Sequence, residues 1–207
     1  STAHGRDGAG QVWFDDLGCS TGSEAPVAHL NAPPPGEARP HATHKGSYGD
    51  VAVLGGAPGM AGAALLAASA ALHGGAGRVF VALLDNSQPA LSPVQPELMF
   101  RDPASLDWSQ LTAVCGCGGG SPVQAWLPRV LGDAPRTVLD ADALNVIATD
   151  GALQKLLAAR LGKGRHTVLT PHPLEAARLL GSTTATIQSN RLAAAPGLGQ
   201  RVQAEVV

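Results

Sequence analysis

Residues 51–84 place the strongest constraint on how this chain can fold. An apolar run over 51–54 leads into a glycine-rich loop, an alanine-rich segment over 63–73 follows it, and a second apolar run occupies 79–84. The glycines of the loop are Gly55, Gly56, Gly59 and Gly62. Two short apolar runs joined by a helix are typical of a right-handed βαβ unit. The sequence therefore predicts an α/β fold in which ligands bind where strands end and helices begin.

Composition narrows the class of protein. A chain of 207 residues with 44% hydrophobic and 14% charged residues is long and apolar enough for one globular α/β core. A net charge of -2 without any basic and aromatic patch argues against a nucleic-acid partner. The apolar runs are too short to cross a bilayer, and the first residues lack the apolar core of a signal peptide. Three cysteines without zinc-site spacing indicate a cytoplasmic protein.

The first 43 residues have the weakest pattern. The sequence VWFDDLG over 12–18 is compatible with one short strand, and residues 31–40, rich in proline and polar groups, are typical of a linker. We therefore expect a domain boundary near Thr43. The HKGSYGD segment over 44–50 leads into the first strand, and spacing alone leaves open whether it is more than a solvated turn.

Further strands are predicted over 111–116, 136–140 and 166–170. The first ends in the glycine cluster GCGGG, and a helix over 122–131 with Ser121 as its N-cap should follow. A helix over 151–161 places several leucines on one face, Leu161 among them. One more helix over 186–195 and the start of a strand at 201–207 complete the pattern.

Acidic groups and a histidine follow the later strands. Asp140 ends one predicted strand. An acidic residue that faces phosphates at the end of a strand usually helps to hold a divalent cation. The alternative is that Asp140 and Asp142 both cap helices. His172 stands between two prolines, which fix its backbone, so it is either a ligand contact or a structural histidine. Glu175 falls in the first turn of the next helix, where it either complements the helix dipole or reaches a hydrated metal.

Four segments in this order resemble the NAD(P)HX dehydratase family of ribokinase-like enzymes. They are HKGSYGDVAVLGG with GMAGAALLA, the glycine cluster after Val114, TVLDADALN, and TPHPLEAARLLG. The resemblance covers residues 44–207 and implies a three-layer αβα domain with a mostly parallel central sheet. It also implies that residues 1–43 are a linker or the remnant of a preceding epimerase domain, because VWFDDLG resembles the tail of that domain.

The resemblance carries the family's substrate contacts to Ala63, Gly118 and His172. Two loops depart from the family pattern. Cys117 stands where the family usually has the proline of Gly-Pro-Gly, and Leu174 stands where it usually has a glycine after Pro-His-Pro. The effect of Cys117 and Leu174 on these loops stays open.

The same resemblance implies that the C-terminal part of the fold is missing. The family continues with a Lys-Gly nucleotide loop and a Gly-Thr-Gly-Asp segment whose aspartate belongs to the reacting site. That aspartate would lie beyond Val207, so no catalytic residue is assigned. We expect residues 44–207 to be an incomplete dehydratase domain, with the rest disordered, cleaved or on another chain, and whether this chain alone is active stays open.

The implied activity is dehydration of hydrated NADH and NADPH (NADHX and NADPHX) back to NADH and NADPH. The co-substrate would be ADP or ATP, the cofactor Mg²⁺ and the assembly a homo-oligomer, with Asp140 and Glu175 as candidates for the metal and phosphate network. One alternative is a kinase of the hydroxymethylpyrimidine or hydroxyethylthiazole type, since TPHPLE resembles the Thr-Pro-Asn-x-x-Glu stretch of those enzymes. Another is an inert fragment that only binds a nucleotide.

Overall fold

The chain divides into two compact units, Ser1–Glu37 and Ala38–Val207. The computed structural model describes residues 3–13, 15–19, 22–23, 39–87, 89 and 91–207. None of the helices in this described part combines the length and the apolar character that a membrane span requires.

The described part of the first unit holds helix α1 (Ala3–Ala9) and a turn. Asp15 and Asp16 each accept a 2.8 Å hydrogen bond from the backbone N–H two residues further on. The described residues of 12–18 form no strand, so that expectation is wrong. The hydrogen bonds from nearby backbone N–H groups to these two carboxylates compete with the backbone pairing that a strand requires. Phe14 of the expected strand lies outside the described residues, and so do residues 31–38 of the expected linker.

The second unit is built on a seven-stranded parallel sheet. The strands lie in the order β3-β2-β1-β4-β5-β6-β7, and every neighbouring pair is parallel. Their bounds are β1 (Asp50–Gly55), β2 (Arg78–Leu83), β3 (Met99–Phe100), β4 (Thr112–Cys115), β5 (Arg136–Leu139), β6 (His166–Leu169) and β7 (Glu205–Val206). The order reverses between β1 and β4, the kind of position where open α/β sheets bind ligands.

Helices connect these strands. They are α2 (Ala61–His73), α3 (Leu127–Asp133), α4 (Ala141–Thr149), α5 (Gly151–Ala158), α6 (Pro173–Leu180), α7 (Thr184–Ser189) and α8 (Arg191–Val202). Alternate residues of β1 pack into two different hydrophobic clusters. Ala52 and Leu54 belong to one cluster. Val53 belongs to the other, together with Ala64 and Ala68 of α2. Both faces of the sheet are therefore covered, which confirms the expected αβα layers.

The segment after the glycine cluster folds differently from expectation. Instead of one helix over 122–131, a 3₁₀ helix (Ser121–Ala125) precedes α3, and Ser121 lies inside it rather than capping it. The N-cap position is occupied by Gly120, whose N–H donates to Asp142 Oδ2 over 2.8 Å. A carboxylate 22 residues further along the chain thus holds the residue that precedes the 3₁₀ helix, which local spacing could not show.

Several smaller expectations also need correction. Leu161 lies beyond the end of α5 and its side chain is 49% exposed, so it is not a core residue. Residues 186–195 fall on two helices, α7 and α8, and the last strand begins at Glu205 rather than at 201. Strand β3 was not anticipated, because its two residues are too few to show a period.

Candidate functional site

The loops after β1 and β4 form one side of the candidate site. Gly56 donates its backbone N–H to the carbonyl of Cys117 over 3.0 Å, and Ala57 donates to the carbonyl of Gly118 over 2.7 Å. A Cβ on Gly55 would lie 2.3 Å from the same Cys117 oxygen. The two glycine loops are therefore joined backbone to backbone instead of leaving a crevice between them.

Ala63 and Gly118 are neighbours in this structure. Gly118 has φ +59, and a Cβ placed on it would lie 3.0 Å from the Cβ of Ala63 and 2.9 Å from that of Met60. Ala63 is half-buried in the first turn of α2. Only a residue without a side chain fits here, both for its backbone angle and for the space. Two of the three predicted substrate contacts thus share one small surface.

Asp140 joins the loops that follow β4, β5 and β6. The Thr170 hydroxyl donates to Asp140 Oδ1 over 2.8 Å, and the Cys117 thiol donates to Oδ2 over 3.5 Å. Asp140 occupies the N-cap position of α4, yet its side chain makes no capping bond, and the next residue, Ala141, has a φ of +46. A non-glycine residue held at positive φ stores strain that surrounding contacts must offset, as they commonly do at functional sites.

The thiol of Cys117 stays protonated at neutral pH. Burial raises its pKa to about 12, and the neighbouring Asp140 carboxylate adds to the shift. Burial also raises the pKa of Cys115, whose side chain is fully enclosed. Cys117 consequently acts as a hydrogen-bond donor to Asp140 rather than as a nucleophile.

His172 is the N-cap of α6 and forms a reciprocal box with Glu175. Its Nδ1 accepts the N–H groups of Leu174 and Glu175 over 3.1 and 3.3 Å, while its own N–H donates to Glu175 Oε2 over 3.0 Å. Nε2 lies 3.1 Å from Glu175 Oε1. Because Nδ1 accepts, the ring proton of the neutral form is on Nε2.

The two partners of this box differ in exposure. The His172 side chain is 58% exposed, whereas that of Glu175 is 4% exposed. Beside them Leu174, one of the two departures from the family pattern, is exposed at 43%. The histidine ring is thus held in one orientation by its cap bonds and is open to a ligand, while both oxygens of Glu175 are in contact with His172.

A magnesium site was anticipated near Asp140 and Glu175. Within the part of the chain that the structure describes, no group of three or more His, Cys, Asp or Glu residues could hold a metal ion. Both carboxylates are oxygen groups of the kind Mg²⁺ prefers, but each already contacts protein donors. They fit an outer-shell role through water, and that role stays a prediction.

The structure brings all five predicted site residues to one edge of the sheet. Ala63 follows β1, Gly118 follows β4, Asp140 follows β5, and His172 with Glu175 follows β6, all at carboxyl ends of parallel strands. Sequence reasoning missed Thr170 and the bridging role of Cys117. The position of Thr170, directly after β6 and ahead of Pro171, was a signal that could have found it.

The HKGSYGD segment lies at the opposite edge, before β1. It forms a 3₁₀ helix (Lys45–Tyr48) capped by the His44 side chain. Gly77 donates its N–H to the Gly49 carbonyl over 2.9 Å, and Asp50 forms an ion pair with Arg78. These contacts fasten the start of β1 to the start of β2, so the segment supports the sheet rather than the site.

Comparisons with known proteins agree on one family. Residues 51–207 match the Carb_kinase family model, described as NAD(P)H-hydrate dehydratase. The ADP-dependent (S)-NAD(P)H-hydrate dehydratase of Neisseria meningitidis is 40% identical over 179 residues, which are 83% of this chain and 59% of that protein. The bifunctional NAD(P)H-hydrate repair enzyme Nnr of Escherichia coli is 35% identical, over 97% of this chain and 39% of that enzyme.

Comparison with a solved structure agrees with this family. The ADP/ATP-dependent NAD(P)H-hydrate dehydratase of Bacillus subtilis, co-crystallised with ATP and Mg²⁺, superimposes with a TM-score of 0.63 at 28% identity. The match covers 82% of this chain and 61% of that one. It confirms the ribokinase-like fold. The chain spans 59% of the Neisseria relative and 39% of the Escherichia relative.

Proposed function

The chain belongs to the NAD(P)H-hydrate dehydratase family, and on that premise we propose that it acts in the dehydration of NADHX and NADPHX to NADH and NADPH. The name of the Neisseria relative supports ADP as the co-substrate, and the Bacillus relative was crystallised with ATP. The observation that carries the proposal is the contact of Ala63 with Gly118 on an edge that also carries His172.

We assign the substrate contacts to Ala63, Gly118 and His172. Small residues at the first two positions let the hydrate approach the backbone closely, which a larger side chain would prevent. The capped His172 ring offers a polar group of fixed orientation. Fixed geometry matters here because positioning supplies much of the catalysis in phosphoryl transfer.

The chemistry proceeds in two steps. The hydroxyl oxygen of the hydrated ring forms a bond to the terminal phosphorus of the nucleotide, whose bridging P–O bond breaks, and the hydroxyl proton leaves. The ring C–O bond then breaks with loss of phosphate, and loss of a neighbouring C–H proton restores the double bond. Phosphate leaves far more readily than hydroxide, so the nucleotide makes the dehydration favourable.

Mg²⁺ would neutralise phosphate charge when bound. We propose Asp140 and Glu175 as its outer-shell partners, through water. Thr170 and Cys117 hold the Asp140 carboxylate in place, and His172 holds that of Glu175. We also propose a homo-oligomer in the cytoplasm, with residues 1–43 as a linker or the remnant of an epimerase domain and residues 44–207 as part of a dehydratase domain.

A second candidate function is nucleotide binding without turnover. It needs only the substrate-contact edge of Ala63, Gly118 and His172 and no reacting group. The kinase alternative predicts a stable phosphorylated alcohol as product. The three possibilities therefore differ in product: restored NADH or NADPH, a phosphorylated alcohol, or none.

The test mixes the protein with hydrated NADH, Mg²⁺ and ADP, and then ATP, and follows the return of nicotinamide absorbance. The Neisseria relative serves as the positive control. Recovery that requires both protein and nucleotide would support the proposal. Binding of NADH without recovery would assign only the binding role, and neither binding nor recovery would overturn both. Phosphorylation of a pyrimidine or thiazole alcohol would favour the kinase.

A further inference from the structure

A cavity of about 260 Å³ lies beside the glycine loops, outside the residues assigned so far. We infer that it receives the purine end of the dinucleotide substrate, an inference that rests on the proposed function. Its lining residues come from three segments that follow the carboxyl ends of β2, β3 and β4: Leu83, Leu84, Asn86, Asp102, Pro103, Pro122 and Trp126. The cavity therefore opens on the same edge of the sheet as Ala63, Gly118 and His172.

The cavity adjoins the glycine loops directly. Leu83 Cδ2 lies 2.8 Å from where a Cβ on Gly56 would be, and Pro122 Cδ lies 3.4 Å from the corresponding point on Gly120. Leu84 donates its backbone N–H to the Gly55 carbonyl over 2.9 Å. A ligand resting on the loops at Gly118 can continue into this cavity without crossing a strand.

The lining suits a nitrogen heterocycle. Leu83 and Leu84 are buried and supply apolar surface, and Trp126 is half-buried against the core. Oδ1 of Asp102 caps the 3₁₀ helix (Pro103–Ser105) by accepting from Ala104 over 2.8 Å. Among the described residues, the second oxygen of Asp102, the Asn86 amide and the Trp126 indole nitrogen have no hydrogen-bond partner. A purine amino group and ring nitrogens can pair with such groups, and its face can stack on the indole.

Size and distance favour one end of a dinucleotide. Ligand pockets for whole drug-sized molecules measure roughly 300–1,000 Å³, so this cavity takes a single heterocycle. Two strand spacings separate β4 from β6 and four separate β2 from β6, which at about 4.8 Å each gives about 10–19 Å between the cavity lining and the loop of His172. That span matches an extended dinucleotide with its nicotinamide ring towards His172 and its purine in the cavity.

The test compares two probes that differ only in the purine half: NADH and reduced nicotinamide mononucleotide. Their dissociation constants are measured by fluorescence for the native protein and for Trp126→Ala and Asp102→Asn. Asp102→Asn keeps the oxygen that caps the 3₁₀ helix. Asp107→Asn is the matched control, because Asp107 caps the next 3₁₀ helix (Trp108–Gln110) in the same way and does not line the cavity.

We expect Trp126→Ala to weaken NADH binding about 10-fold and Asp102→Asn to weaken it several-fold. Binding of the mononucleotide should not change in either variant, and Asp107→Asn should leave both constants unchanged. Unchanged NADH affinity in both cavity variants would overturn the inference while leaving the proposed function intact. Equal losses for both probes would overturn it in the same way. Failure of the native protein to bind NADH would overturn both.

Discussion

The hydroxyl of Thr170 donates a 2.8 Å hydrogen bond to Oδ1 of Asp140, across the loops that follow β6 and β5. The two residues are thirty positions apart in the chain, and both are half-buried. The Cys117 thiol approaches the other oxygen of the same carboxylate. Asp140 is therefore the link that sets the spacing between the loop of Gly118 and the loop that begins at Thr170.

Replacing Thr170 by valine removes this link with little change in shape. A hydrogen bond to a charged group contributes about 1.5–3 kcal/mol, so we expect a loss of stability of about 1–2 kcal/mol at this partly exposed position. NADH binding should weaken as well, because the loops lose a fixed spacing. Urea unfolding and NADH titration measure the two effects. The control is Thr149→Val, whose exposed hydroxyl bonds only within its own helix end, and equal effects of both substitutions would contradict the linking role.

The cysteines should differ sharply in reactivity. With a pKa of about 12, Cys117 is thiolate in only about 1 of 10⁴ molecules at pH 8, and Cys115 is buried with a raised pKa. Iodoacetamide at pH 8 should therefore modify the exposed Cys19 in the native protein and reach the other two only in urea. Mass spectrometry of the alkylated peptides measures this. Modification of Cys117 as fast as Cys19 would show that the thiol does not donate to Asp140.

Gly118→Ala should damage both stability and the site. The positive φ and the approach of Met60 and Ala63 together predict a loss of about 2–4 kcal/mol. Gly132→Ala is the matched control, because nothing lies within 4 Å of its added Cβ and it stands in α3, where alanine should stabilise by about 0.5–1 kcal/mol. Thermal unfolding compares the two. A neutral Gly118→Ala would show that the two loops can separate.

Arg160 is a buried cation, 1% exposed, that ties β6 to neighbouring segments, and no carboxylate among the described residues pairs with it. Its guanidinium donates to one hydroxyl and three carbonyls: Thr167 Oγ1, Leu131 O, Ala134 O and His166 O. Arg160→Met takes this donor from three carbonyls, while Thr167 Oγ1 still accepts from Thr137, so we expect a loss of about 3–5 kcal/mol in urea unfolding. Arg136→Met, at an exposed arginine, should stay within about 0.5 kcal/mol.

The pH dependence of this effect follows from the pKa of Arg160. Burial, with a smaller contribution from Arg165, lowers it from 12.5 to about 10. The unfolded chain therefore binds more protons only between about pH 10 and 12.5, and there the contribution of Arg160 to stability rises with pH. Below about pH 9 the difference between Arg160→Met and the native protein should be constant. A difference that changes between pH 6 and 9 would contradict this assignment.

Glu175→Gln separates the capping role from the metal role. Glutamine keeps an oxygen for the His172 N–H, so stability should fall by less than about 1 kcal/mol, whereas Glu175→Ala should cost about 1–2 kcal/mol. If Glu175 also serves as an outer-shell partner, the Mg²⁺ concentration for half-maximal turnover should rise in Glu175→Gln. An unchanged Mg²⁺ dependence would leave Glu175 with the cap alone.

The amino-acid sequence by itself determined where β1, α2 and β2 lie and that the sheet is parallel. It also placed Ala63, Gly118, Asp140 and His172 after the ends of predicted strands. The strand ends follow from apolar periodicity and from glycine and proline, which act over a few residues, whereas the choice of Ala63, Gly118 and His172 as substrate contacts follows from the family resemblance. The short range of these signals also explains why the expectation that Ser121 caps a helix was wrong. The residue before it, Gly120, is held by a hydrogen bond to Asp142, which is 22 positions away in the chain.

Only the tertiary structure decided which of these residues meet. The contact of Ala63 with Gly118, the bonds from Cys117 and Thr170 to Asp140, and the cavity beside Trp126 each join segments at least sixteen residues apart. Such contacts depend on the order of the strands and on the register of each parallel pair. Strand order and register produce no periodic pattern in the sequence. A side chain twenty residues away can make a hydrogen bond without changing the local pattern of apolar and polar positions.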